Sequence, residues 1–236
     1  MWLIYATETV LTTQGCKVEV SDLYAMAFKA SATAEDITGE VKDAEHFQYG
    51  EETMLAWKEG RLSADITEEH RKLSEAEVVI FQVISSLYFL DVSPKSQFPM
   101  YWFTVPAIMK GWMDRVLTLK YFTSRLTSVC FHFDDWRIAS VGQINCFIYL
   151  SMNGILHYCG FQVLAPQIFW APPHIPSEAR ESMLEAWRTR LQGLLGETPL
   201  TFTPSDSFDG GTAKGELMLF AVFQVFGLTS AKIRYI

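Results

Sequence analysis

A short apolar run, Val78-Val79-Ile80-Phe81, and a later aromatic segment together constrain this chain more than any other feature. The later segment reads Phe98-Pro99-Met100-Tyr101-Trp102-Phe103-Thr104-Val105-Pro106-Ala107-Ile108-Met109-Lys110-Gly111-Trp112-Met113-Asp114. The first has the length and β-branched content of a fully buried strand. The second crowds aromatic rings beside two prolines, then takes up helical spacing through Ile108, Met109, Trp112, Met113 and Val116. Pro106 falls in the first turn of that helix, where a missing N–H costs nothing. A buried strand that opens into a loop and then a helix is the unit of an α/β sheet, and such sheets bind ligands at that opening. Composition alone leaves the rings as core filler or as a platform for a flat, conjugated partner.

The remaining chain supplies further elements. Trp2-Leu3-Ile4-Tyr5-Ala6 reads as a first buried strand, and Cys16-Lys17-Val18-Glu19-Val20, after Gly15, as a second. A parallel crossover needs a dozen or more residues. Thr7–Gln14 is too short for one, so the two strands pair differently or the first crossover is lost. Asp65 or Thr67 caps a helix running from Thr67 to Glu75. The segments between Ile37 and Trp57 wrap the surface or reach toward a partner. Lys120–Asn145 has weak periodicity with turn-like breaks at Asp134-Asp135. Ile155–Phe161 reads as a helix ending at Gly160, and Val163–Trp170 as a strand made irregular by Pro166. Ser177–Leu195 is the clearest amphipathic helix, capped by Ser177 and ended by Gly196. Strands alternating with helices in this way indicate an open α/β sheet.

Bulk properties exclude several classes. The 236 residues carry a net charge of -8, which is no footprint for nucleic acid. Four cysteines without close spacing argue against a disulfide scaffold and for a reducing, cytoplasmic setting. The start lacks the basic flank of a secretory signal, and no apolar run reaches the length of a membrane span. Gly210-Gly211-Thr212-Ala213-Lys214-Gly215 matches neither the GxGxxG nor the GxxxxGK[ST] pattern and reads as a surface loop.

Longer motifs carry a resemblance. Gly15-Cys16-x-Val18-x-Val20-Ser21-Asp22-Leu23-Tyr24-Ala25-Met26, Asp36-Ile37-Thr38-Gly39, Val79-Ile80-Phe81-Gln82, Pro99 through Leu117, and His157-x-Cys159-Gly160-Phe161-x-Val163-Leu164-Ala165-Pro166-Gln167 resemble the flavin-dependent NAD(P)H:quinone reductases. The resemblance implies a flavodoxin-like open parallel sheet with helices on both faces. It implies a cytosolic homodimer with FAD near the subunit interface, which moves a hydride from reduced nicotinamide to flavin and then to a quinone. The flavin-contacting turn falls on Pro99, Met100, Tyr101, Trp102 and Phe103, with Phe103 and Tyr101 as candidate catalytic residues. Asp114, Arg180 and Gln48 match positions around the adenine–phosphate half, Gln48 from the other subunit. Only His157 matches a ligand of the family's metal site; Asn153 and Phe202 stand where other ligands would be, so no metal is expected.

The departures bear on competence. After Ala6 the loop that holds the cofactor's pyrophosphate is absent, and such anion sites need several converging N–H groups. Val83–Gln97 interrupts the passage from strand to flavin turn, and no Thr-Thr-Gly-Gly loop lies between Leu117 and Asn153. The expected organisation is a flavodoxin-like domain over residues 1–204, containing the 83–97 insert, and an atypical tail over 205–236. The expected function is FAD-dependent quinone reduction with impaired FAD retention. The alternative is a non-catalytic flavodoxin-like remnant that at most dimerises or binds flavin weakly.

Overall fold

The computed structural model describes residues 2–82, 105–118, 128–135, 152–170 and 175–202. In chain order these form α1 (Trp2–Thr13), a 3-10 turn (Ala34–Asp36), α2 (Tyr49–Glu59), α3 (Ala64–Glu75), β1 (Val78–Gln82) and α4 (Ala107–Val116). There follow β2 (Ser128–Asp135), a π-helical stretch (Met152–His157), β3 (Gln162–Val163), β4 (Gln167–Trp170), α5 (Ser177–Gly193) and a second 3-10 turn (Leu194–Gly196).

The start of the chain overturns the strand expected at Trp2–Ala6. That segment opens α1, because the apolar run continues at helical spacing: Ala6 and Thr7 are buried and Val10 and Leu11 half-buried, one stripe along a helix. Gly15 ends α1 at φ 84, its N–H donating to the Thr12 carbonyl at 2.9 Å while that of Cys16 reaches Leu11 at 3.0 Å. This is the Schellman arrangement, which favours glycine in the left-handed region. The shortened crossover therefore has no first strand to leave from. Cys16–Val20 is no strand either: Cys16 and Val18 alternate with exposed neighbours as a strand would, but no ladder pairs them among the described residues.

Among the described residues, β2 pairs in parallel with β1 on one side, Val78 opposite Ser128 through Gln82 opposite His132. On its other side it meets β3 and then β4. The register jumps there: Val129 faces Val163 but His132 faces Gln167, so three residues, Leu164-Ala165-Pro166, oppose two. Proline cannot donate to a ladder, which is why the strand expected at Val163–Trp170 breaks at Pro166. Arg190 fills part of that gap, its guanidinium donating to the Ala165 carbonyl and, at 3.3 Å, to Gln167 Oε1. The turn-like reading of Asp134-Asp135 is also corrected, since both belong to β2.

Alternation along β1 sorts its side chains between two apolar clusters. Val79 and Phe81 pack with Phe28, Trp112, Met113, Val116, Leu156 and Val163. Val78 and Ile80 pack with Leu164, Phe169, Trp187, Leu191 and Leu194, against which Val10 and Leu11 of α1 also lie. The Trp187 indole N–H donates to Thr7 Oγ1 at 2.9 Å and ties α1 to α5. A third cluster, Ile37, Ala56, Leu62 and Ile66, joins α2 to α3. The stretch read as surface wrapping thus contains α2, and the buried Glu52 carboxylate accepts the N–H groups of Lys42 and Asp43 at 2.8 and 2.9 Å.

Two helix starts differ from expectation. Ser63, not Asp65 or Thr67, precedes α3, and Pro176, not Ser177, precedes α5. The expected helix at Ile155–Phe161 is a π-helical stretch and turn, closed by Gly160 at φ 92.

Candidate functional site

The turn expected to contact flavin, Pro99, Met100, Tyr101, Trp102 and Phe103, lies outside the described residues, as do residues 83–97 and those beyond 202. The other candidates can be located. Asp114 sits in the last turn of α4, exposed and paired with Lys110 one turn back. Gln48 occupies the cap position of α2 with its side chain exposed and making no cap bond. Arg180 is half-buried in the first turn of α5, its N–H donating to the Pro176 carbonyl.

Between Gln48 and Asp114 stands a buried polar cluster to which sequence reasoning gave no role. Arg115 is 2% exposed; its Nη2 donates to Asp36 Oδ1 at 2.9 Å and its Nε to Oδ2 at 3.1 Å. The same guanidinium reaches Asp65 at 2.8 Å and the Lys29 carbonyl at 2.8 Å, and lies over the Phe28 ring at 4.6 Å. Tyr49 donates its hydroxyl to Asp36 Oδ2 at 2.7 Å. Burial works against the Arg115 charge, but Asp36 and Asp65 outweigh it and hold the guanidinium above its ordinary value. Burial also opposes ionisation of Asp65, which bonds from Ser63 and Arg115 overcome. Burial, then the Asp36 bond and charge, push the Tyr49 phenol upward, and Asp114 adds to that push. The cluster therefore joins the start of α2, where Gln48 sits, to the end of α4, where Asp114 sits. Its sequence signal was a charged residue on the apolar stripe of an amphipathic helix, next to Asp114.

A second polar group was also missed. Gln82 ends β1, and its Nε2 is buried with no hydrogen-bond partner among the described residues. A buried donor left unmade costs about 1–3 kcal/mol, so such an atom calls for an explanation. Carboxyl ends of parallel strands are where α/β sheets take ligands. A donor there suits a cofactor rich in acceptor oxygens, and in that sense Gln82 fits FAD.

His157 lies against Phe202, with ring centroids 4.7 Å apart and the rings inclined at 46°. Among the described residues no group of three or more His, Cys, Asp or Glu side chains converges as a metal site. No helix among them is long and apolar enough to cross a membrane.

Comparison with known proteins places this arrangement. A family model described as a flavodoxin-like fold matches residues 96–191. A solved chain from Klebsiella pneumoniae superposes with a TM-score of 0.70 at 26% identity, over 85% of this chain and 81% of that one. The protein is thus an α/β chain of flavodoxin-like fold. NAD(P)H dehydrogenase [quinone] 1 of Rattus norvegicus is 40% identical over 230 residues, covering 90% of this chain and 78% of the relative. Ribosyldihydronicotinamide dehydrogenase [quinone] of the same organism is 40% identical over 222 residues, covering 85% and 87%. At that identity and coverage the chain belongs to the flavodoxin-like NAD(P)H:quinone oxidoreductase family, close to its ribosyldihydronicotinamide dehydrogenases.

Proposed function

We propose that the chain is an FAD-dependent oxidoreductase that passes a hydride from a reduced nicotinamide to a quinone. The observation that carries this reading is the 40% identity to quinone dehydrogenases across most of the chain. The orphaned donor of Gln82 at the carboxyl end of β1 supports it. FAD, when bound, supplies the hydride-accepting and hydride-donating chemistry, and the protein binds, orients and shields.

In this reading Pro99, Met100, Tyr101, Trp102 and Phe103 form the flavin-contacting turn, with Phe103 and Tyr101 as the catalytic residues. Asp114 and Arg180 hold the adenine–phosphate half, and Gln48 reaches it from the second subunit of a homodimer. The exposed Tyr158 (84%) and Leu195 (60%) are apolar surface that a second subunit could cover. The sheet is read as a single open parallel one, with α3 and α4 on one face and α1 and α5 on the other. The setting is cytoplasmic, with no nucleic acid or membrane as partner.

The reading includes a weakened hold on FAD. Residues 83–97 separate β1 from the aromatic turn, and the 117–153 stretch lacks the family's glycine loop. The same interruption favours a second reading, a flavodoxin-like remnant without turnover. Titrating the purified chain with FAD, then adding reduced nicotinamide and quinone in turn, separates the two. The first reading gives a flavin band that bleaches and returns, with the flavin lost on desalting; the second gives no bleaching.

A further inference from the structure

Gln82 and the first turn of α5 stand at one end and on one side of the sheet. Alternation puts Gln82 with Val78 and Ile80, the β1 residues packed against the cluster of Trp187 and Leu191. The direction of α5 follows from Arg190, which bonds Ala165 and Gln167 at the beginning of β4. Its opposite end, with Arg180, therefore lies toward the carboxyl end of β4. That is also the end of β1 where Gln82 sits, because β1 and β4 both run parallel to β2. The other orphaned side-chain atom among the described residues, Thr118 Oγ1, follows the last turn of α4 and belongs to no strand.

We propose that the Gln82 amide is a cofactor-binding group, its Nε2 donating to an acceptor oxygen of bound FAD on the side of the sheet that α5 covers. This deepens the functional reading above and rests on it. A buried amide without an acceptor is unfavourable in the empty protein and is relieved when a ligand oxygen arrives. Stability and binding then move in opposite directions when the donor is removed, which a purely structural glutamine would not do.

The test compares the purified wild-type chain with Gln82→Leu and Gln82→Met, each measured by thermal melting without cofactor and by quenching of flavin fluorescence on titration with FAD. The expected result is a melting temperature equal to or above wild type, together with FAD affinity about tenfold weaker. The second variant, unbranched like glutamine, serves if the first does not fold. An FAD affinity within twofold of wild type, or a lowered melting temperature with unchanged affinity, overturns the proposal. A wild-type chain that takes up no FAD at all overturns the functional reading and this proposal with it, a result distinct from the variant failing alone.

Discussion

The Arg115 guanidinium grips both oxygens of the Asp36 carboxylate, at 2.9 and 3.1 Å, with the two side chains 2% and 1% exposed. Their partners lie 79 residues apart in sequence, so one bidentate pair fastens α4 to the 3-10 turn at Ala34–Asp36. Through Tyr49 and Asp65 it also holds α2 and α3.

The two sides of that pair are not equivalent. Asp36→Asn leaves the Arg115 guanidinium paired with Asp65 and should cost about 1–3 kcal/mol in urea unfolding. Arg115→Met should cost more, about 3–5 kcal/mol, because it leaves the buried Asp36 carboxylate without a cation. The double variant should recover part of the loss, as interacting neighbours do. Strictly additive losses would show that the pair does not couple.

Gly111 is fixed by a close approach. A Cβ there would lie 2.1 Å from the Ala30 carbonyl oxygen, a backbone atom that cannot swing aside. Gly111→Ala should lower stability by about 1–3 kcal/mol in thermal or chemical unfolding, since α4 must withdraw from the loop that Arg115 anchors. Gly15→Ala tests a different cause. Open space surrounds that position, so its smaller loss, about 1 kcal/mol, comes from φ 84 alone. Equal losses at the two sites would contradict the steric account.

His70 gives the fold a pH dependence. Burial holds the imidazole below its ordinary value of 6.5, and Nε2 lies 2.7 Å from the Val116 carbonyl, donating as the neutral tautomer with its proton there. The unfolded chain takes up a proton near 6.5 while the folded chain does not, so more protons are bound unfolded and stability rises with pH. The contribution is complete above about 6.5 and is lost as the solution is acidified below it. Urea midpoints measured from pH 7.5 down to 5 should fall for wild type and fall less for His70→Gln. Parallel profiles would remove His70 from the account.

Thr7 tests the reassignment of the N-terminal segment. The buried Trp187 indole donates to its hydroxyl. Thr7→Val keeps the shape and leaves that N–H without this acceptor, with an expected loss of about 1–3 kcal/mol. No loss would argue that α1 does not dock on α5 through this bond.

The physics separates what the sequence revealed from what it hid. β1, α4 and α5 were legible because each carries a period strong enough to need no partner for recognition: four consecutive apolar residues in β1, and the stripes through Trp112 and Trp187 in the helices. The α1 helix was misread because its first residues are apolar without gaps, a pattern shared by buried strands and buried helices. Cys16–Val20 has the alternation of a strand, but strand identity depends on a neighbour that local pattern cannot supply. β2 escaped notice for the same reason: its ladder with Val78–Gln82, distant in sequence, defines it, while Asp134-Asp135 read as a turn. At the site, the aromatic turn and the residues Gln48, Asp114 and Arg180 came from motif resemblance. The Arg115–Asp36 cluster came only from contacts between segments far apart in the chain, and the Gln82 Nε2 only from its burial without a partner among the described residues.

The central claim, flavin-dependent hydride transfer to quinones, is tested most directly by the visible spectrum of the purified chain supplied with excess FAD. The account predicts a protein-bound flavin band that reduced nicotinamide bleaches and a quinone restores, with the flavin released on desalting. A chain that binds no flavin, or binds it without bleaching, would contradict the claim.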